Sequence, residues 1–390
     1  MDQARGTTAS SGSSSQSLDA GFSASNPFML LHGRRYLREL PYPLPCDLVE
    51  LQRQNLYTHL ATAVFGTPLC CPQLIQRPPR KVLELACGAG YWSSLCHDLF
   101  TGLGKPDVEF VGLDIVSVAP NMRKHGMNWR FVQHDMRDVP LPFMDDEFDL
   151  VMMKDLSIVV PVGIPSERLL DEALRILRPG GVLEWWECDY SIRSLLPHPR
   201  PPVTSRSKRP QDLEQAVVTG TFVITPATPF AARVTNKYLQ DYNGWIQTTL
   251  DKRQLAPTPC SRMGPTLLQE PDALSDVDWR RVAIPLGTAN PPPSADGIDD
   301  GSIAVLETAN GQRPLDAAPL TEDQLAFRHT ALQIIVQLIE SLEPLLKEAS
   351  GKSGEEWGRW WTWMMADLLD NSGASNGECL EIGSWWAKKV

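Results

Sequence analysis

Hydrophobic positions change period several times along the chain, and the changes divide it. Residues 1–25 are mostly Ser, Gly, Ala and Thr with little to bury, the composition of a disordered tail. Between residues 26 and 80, prolines at 41, 43 and 45 and again at 68, 72, 78 and 79 bracket Leu48, Leu51, Leu56, Leu60 and Val64, whose spacing predicts one helix. From 81 to 188 the pattern alternates. Short apolar runs at 81–86, 108–114, 129–134, 148–153 and 182–188 read as strands, and 91–100 and 166–177 carry helical spacing between them. Such alternation predicts a parallel α/β sheet with right-handed crossovers. Beyond residue 189 it stops: a basic, proline-rich loop at 197–210 precedes a helix at 230–250, a strand at 277–286, a long loop at 291–319, helices at 325–346 and 355–369, and a strand at 380–390. The expected regions are therefore a tail (1–25), an N-terminal helical segment (26–80), a core (81–190), a cap with long loops (191–325) and C-terminal helices with a last strand (326–390).

Composition narrows the class. Hydrophobic residues make up 42% and charged residues 21% of the 390, ordinary globular usage, and no run approaches the roughly 20 apolar residues of a spanning helix. With 36 Lys and Arg against 47 Asp and Glu, the net charge of −11 has the wrong sign for coating a phosphate backbone, so nucleic acid is disfavoured as a partner. Eight cysteines without a C-x-x-C spacing, and no secretory apolar region at the N-terminus, predict a reducing compartment and no metal site. Asp2, Asp19 and a lone early Arg5 argue against a mitochondrial presequence. The expected location is the cytoplasm, with the nucleus as the alternative because Arg200 and the Arg206-Ser-Lys-Arg209 run could form a nuclear signal.

The chemistry concentrates at Val82-Leu-Glu84-Leu-Ala86-Cys-Gly88-Ala-Gly90, where a strand turns through two glycines into a helix. Backbone without side chains can approach a ligand there, at the C-terminal sheet edge where α/β proteins bind small molecules. The dinucleotide fingerprint G-x-G-x-x-G would need a glycine at position 93, where Ser93 stands, and the triphosphate loop is absent. Asp114 closes the second strand, placed to accept both hydroxyls of a ribose. Asp135 closes the third, placed to accept from an adenine amine, with the Met136 N–H near the ring. The alternative is that these acids merely cap the following helices.

On these residues the chain resembles the class I S-adenosylmethionine-dependent methyltransferases, over roughly residues 81–187. The segment Phe148-Asp149-Leu-Val-Met-Met-Lys154-Asp155 looks like that family's fourth strand and its substrate-facing end, and Leu177-Arg-Pro-Gly-Gly-Val-Leu183 like its turn into the fifth. The final Gly383-to-Val390 run is similar to its last, antiparallel strand. The Gly90-Tyr-Trp92 run and the spacing from Trp129 to Asp135 look most like fungal methyltransferase-domain proteins of secondary metabolism. The resemblance implies a Rossmann-like, mostly parallel sheet with an antiparallel last strand, an N-terminal helical segment and a cap insertion. It implies S-adenosyl-L-methionine as cofactor, with Glu84, Ala86, Gly88 and Gly90 along its methionine part, Asp114 and Ile115 at the ribose, Asp135 and Met136 at the adenine, and Lys154 beside them.

A sulfonium is an activated leaving group, so alignment and exclusion of water can carry the transfer, and a base is needed only if the acceptor must lose a proton. The candidates are Lys154, Asp155 and Glu187; the alternative is that the first two open a helix and the third is structural. No [DNS]-P-P-[FWY] follows the fourth strand, where Lys154-Asp-Leu-Ser157 stands, which disfavours the amino-methylating nucleic-acid enzymes. Cys96-His97-Asp98 reads as surface residues of a helix, and Trp357, Trp360 and Trp361 as packing of a C-terminal helix rather than a substrate wall. The expected acceptor is a small molecule, with a protein acceptor second; a regulatory protein that binds the cofactor without turnover is the alternative outside enzymes.

Overall fold

The computed structural model describes residues 28–38, 42–195, 210–225, 230–231, 234–287, 319–370 and 373–390. The tail expected at 1–25, the basic stretch around 200–209 and most of the loop at 291–319 lie outside the described residues.

Seven main strands build the sheet: β1 (Lys81–Leu85), β2 (Glu109–Asp114), β3 (Trp129–Gln133), β4 (Phe148–Lys154), β5 (Leu177–Cys188), β6 (Leu274–Pro285) and β7 (Glu378–Lys389). Their order is β3-β2-β1-β4-β5-β7-β6. The first five are parallel, and β7 runs antiparallel to both of its main neighbours. This is the α/β sheet with an antiparallel last strand that the alternation and the resemblance imply. Successive residues of β1 feed opposite faces: Val82 belongs to one hydrophobic cluster, Leu83 and Leu85 to another, and all three are fully buried. Helices covering both faces explain why the strands read as continuous apolar runs.

The main helices are α1 (Leu48–Phe65), α2 (Tyr91–Gly102), α3 (Ile164–Ile176), α4 (Lys237–Asp251), α5 (Glu322–Ser341), α6 (Glu343–Ser350) and α7 (Gly354–Met365). α1 starts where the Asp47 side chain accepts from the Glu50 N–H and stops at Gly66, whose φ of 74° takes the left-handed cap. A hairpin of Phe28–Leu31 and Arg34–Leu37 precedes it.

Several boundaries move for identifiable reasons. The helix expected from residue 230 begins at Lys237, because Phe230–Ala231 pairs as a short strand with Arg193–Leu195. The helix expected over 325–346 is two, since Pro344 lies in the first turn of α6 and restarts the chain direction after Leu342. β5 begins at Leu177 rather than 182: its Arg178-Pro-Gly-Gly181 segment lies within the strand, with a register shift opposite β4. β6, inside the region expected to be a cap, is an integral strand of the sheet.

The tryptophans divide by role. Trp357 and Trp360 of α7 stack at 5.0 Å, Trp245 of α4 meets Trp360 at 4.7 Å, and the Trp360 indole donates to Asp241 at 2.9 Å, so the cluster locks α7 onto α4. Trp385 and Trp386 are buried in β7, while Trp363 is 60% exposed. Cys96 is buried, not on the surface as expected, because Trp92, Ser93, Cys96 and Phe100 form the inward face of α2; His97 is half-buried and Asp98 exposed. All eight cysteines are free thiols.

Candidate active site

The ends of β1, β2 and β3 open into a cleft at the carboxyl edge of the sheet, where α/β proteins bind small molecules. Six of the residues singled out in the sequence line it: Ala86, Gly88, Asp114, Ile115, Asp135 and Met136. Gly88 has φ 50°, and a Cβ built there would meet only Gln54 Oε1 at 3.6 Å, so bare backbone faces open space. The Gly88 N–H donates to Asp114 Oδ2 at 2.8 Å and the Ile115 N–H to Oδ1 at 2.7 Å, which ties the glycine turn to the end of β2. Burial raises the Asp114 pKa, opposed by these backbone donors and the Val116 N–H. Oδ1 also accepts from the Val116 N–H at 3.5 Å, whereas Oδ2 keeps a second lone pair for a hydroxyl.

Asp135 is held differently. Its Oδ1 accepts from the Arg137 N–H at 3.0 Å and Nε at 2.9 Å, and its Oδ2 from Nη2 at 2.6 Å. Burial raises its pKa, but the Arg137 bonds prevail and hold it below the usual value.

Glu84, Gly90 and Lys154 lie outside this lining. Glu84 is buried behind the turn, where Ser93 Oγ donates to its Oε2 at 2.6 Å; burial pushes its pKa up to about 7 against that bond and the charge of Lys154. The residue that breaks the dinucleotide fingerprint thus satisfies the acid of the motif. Gly90 caps α2 with φ 67°, and a Cβ there would press on Met122 at 2.9 Å. Lys154 donates to Asp155 Oδ2 at 2.6 Å and sits 5.7 Å above the Tyr57 ring. Asp155 adopts φ 55°, and its N–H donates to the Trp186 carbonyl at 2.9 Å, joining the ends of β4 and β5. Glu187 is fully buried; its Oε1 accepts from the Ser157 N–H at 3.0 Å and the Trp185 indole at 2.9 Å, and burial, reinforced by Asp155, pushes its pKa up to about 8.

The sequence predicts a cap over this edge from the N-terminal helical segment with residues 191–325, but singles out none of the roof residues for the site. Leu37, Tyr42, Cys46, Leu51 and Gln54, from the hairpin, the following turn and α1, close over the cleft. Gln54 Nε2 donates to Glu50 Oε1 at 3.0 Å and the Tyr42 hydroxyl at 3.2 Å; Glu50 also holds Arg53 and accepts from Ser341 Oγ of α5 at 2.7 Å. Their only signal was a helical stripe bounded by prolines. Among the described residues, Asp189, Cys260 and Glu381 come close enough to share an ion. Arg193 bonds both carboxylates and Arg281 bonds Glu381, a donor set already neutralised by guanidiniums.

Residues 82–181 match the family model described as a methyltransferase domain. That match identifies residues 82–181 as similar to a methyltransferase domain, in line with the resemblance of this segment to the class I S-adenosylmethionine-dependent methyltransferases. The chain is 32% identical over 158 residues, 39% of this chain and 36% of the relative, to the secondary metabolism regulator laeA of Coprinopsis cinerea. It is 34% identical over 110 residues, 27% of this chain and 36% of the relative, to phthiotriol/phenolphthiotriol dimycocerosates methyltransferase 1 of Mycobacterium ulcerans. The chain thus spans little more than a third of either curated relative. A solved structure of a putative sarcosine dimethylglycine methyltransferase from Galdieria sulphuraria aligns over 86% of this chain and 84% of its own, at 13% identity and a TM-score of 0.35. Among the described residues, no helix is long and apolar enough to cross a membrane.

Proposed function

We propose that this protein transfers the methyl group of S-adenosylmethionine to a small molecule. The observation that carries the reading is the roofed cleft in which the bare backbone at Gly88 and the carboxylates of Asp114 and Asp135 face one space. In this reading Gly88 lets the methionine part approach, Asp114 accepts from a ribose hydroxyl through the free lone pair of Oδ2, and Asp135 with the Met136 N–H engages the adenine. Bound there, the cofactor supplies an activated methyl on sulfur. The protein's own work is to align the acceptor and exclude water: Tyr42 and Gln54 roof the cleft, and the ends of β4 and β5 present Lys154, Asp155 and Glu187 on the acceptor side. Residues 81–190 would carry most of the cofactor contacts, and the N-terminal segment and the insertion after residue 190 would shape acceptor specificity.

The experiment is calorimetric titration with S-adenosylmethionine and S-adenosylhomocysteine of the wild type and of Asp114→Ala and Gly88→Leu. Micromolar binding, lost in both variants, is the expected result; a folded wild type that binds neither compound overturns the reading. The name of the fungal relative, a secondary metabolism regulator, supports a second reading in which the acceptor is a protein and methylation is regulatory. Labelled methyl appearing in protein rather than in small-molecule extracts would favour it.

A further inference from the structure

At the ends of β4 and β5, beneath α1, three buried polar atoms have no hydrogen-bond partner among the described residues: Asp155 Oδ1, Glu187 Oε2 and the Tyr190 hydroxyl. Glu187 is fully buried and Tyr190 only 3% exposed, so these atoms are not answered by bulk solvent. Leaving such a group unsatisfied is costly, and three together on neighbouring strand ends ask for a common partner. They sense one another: Asp155 raises the Glu187 pKa, and Glu187 and Asp155 both raise that of Tyr190. The other half of each carboxyl is committed, Asp155 Oδ2 to Lys154, and Glu187 Oε1 to Ser157 and Trp185, so each presents one oxygen. Tyr57 of α1 sits above Lys154, and the Tyr242 hydroxyl donates to the Tyr190 carbonyl at 2.7 Å, fixing the backbone that carries the Tyr190 ring.

The charges nearby cancel. Lys154 pairs with Asp155 and Arg53 with Glu50, while burial keeps Glu187 protonated at neutral pH, so that Oε2 is a donor. Tyr190 also keeps its proton. The set therefore offers one charged acceptor, Asp155 Oδ1, beside two neutral donors, and no unpaired charge to attract an ion.

We propose that Asp155, Glu187 and Tyr190 form the acceptor-recognition set, and that the acceptor is a neutral, planar molecule carrying a hydroxyl beside a second oxygen, methylated at the hydroxyl. The proposal rests on the methyl-transfer reading above. The hydroxyl donates to Asp155 Oδ1, and the second oxygen accepts from Glu187 and Tyr190. An oxygen lone pair forms the new O–C bond as the S–C bond breaks with its electron pair returning to sulfur, and the hydroxyl proton passes to Asp155. Asp155 is then the catalytic base, and Glu187 and Tyr190 set specificity.

The test uses the full chain saturated with S-adenosylhomocysteine and titrated with catechol, with veratrole and benzoate as comparators. Catechol binding is expected, with veratrole, which has no hydroxyl to donate, and the anion benzoate each at least tenfold weaker. Asp155→Asn, whose amide tolerates the left-handed backbone, and Tyr190→Phe should each lose catechol affinity tenfold. Glu187→Gln, still a neutral donor, should stay within threefold of wild type, whereas Glu187→Leu should lose tenfold. S-adenosylhomocysteine affinity within threefold of wild type certifies the fold of every variant. If the wild type binds S-adenosylhomocysteine but not catechol, or if catechol affinity ignores all four substitutions, the acceptor assignment is wrong and the methyltransferase reading stands. If S-adenosylhomocysteine itself does not bind, both fall.

Discussion

The Arg137 guanidinium grips both oxygens of Asp135, at 2.9 and 2.6 Å, on the edge of the cleft where an adenine amine would need one of them. The pair is partly exposed, each side chain retaining about a fifth of its surface, so separating it costs little, on the order of 0–1 kcal/mol. Arg137→Ala should therefore tighten S-adenosylhomocysteine binding about threefold, and Asp135→Ala should weaken it about tenfold. Calorimetry on the two variants checks both signs; weaker binding in Arg137→Ala would assign the guanidinium to the ligand instead.

Gly112, in the middle of β2, is a packing position. A Cβ there would stand 2.3 Å from the Trp129 ring and 2.7 Å from Cys87 Sγ. Gly112→Ala should lower stability by about 1–3 kcal/mol. Urea denaturation of the variant measures this, and an unchanged midpoint would mean that Trp129 swings aside at no cost.

The Trp245, Trp357 and Trp360 cluster lies away from the cleft. Trp360→Ala removes a buried ring and its bond to Asp241, a loss on the order of 3–5 kcal/mol. Stability should fall while S-adenosylhomocysteine affinity at low temperature stays within twofold; a selective loss of affinity would place the cluster in the site.

Buried acids set the pH profile. Burial raises Glu84 and Glu184 to about 7 and Glu187 to about 8, above the ordinary 4.5. Protonation is thus favoured in the folded state, and the stability these groups contribute is complete below about pH 4.5 and is lost as pH rises through 7 to 8. Asp135 and Glu172 lie below their ordinary values because Arg137 and Arg175 hold them, and their contribution is lost as pH falls through their folded values. The melting temperature should peak near pH 5 and fall toward pH 8, with a shallower fall in Glu187→Gln. A flat profile from pH 5 to 8 would show that these carboxyls ionise normally.

How much of this was legible depends on distance along the chain. Gly88, Asp114 and Asp135 each end or follow a strand that its own apolar run announces, so local pattern sufficed to place them on one edge. Tyr42 and Gln54 reach the cleft only because α1 folds back over the sheet and packs on α5, a long-range fact with no local signature. The start of β5 was missed because Pro179 and two glycines usually mark a turn, whereas here β4 carries them through a register shift. Glu84 was legible as an acid at a strand end but not as a group facing away from the cleft, since that depends on Ser93 a turn into the next helix.

The Ser341 hydroxyl bonds Glu50, and the Ser341 carbonyl accepts from Tyr36 at 2.8 Å, so one residue at the end of α5 fastens both pieces of the roof. The lid's latch thus sits outside the segment that the methyltransferase family model covers. A chain trimmed to that segment would keep the floor and lose the ceiling, and sequence drift around Ser341 could retune access to the cleft without altering any residue that lines it.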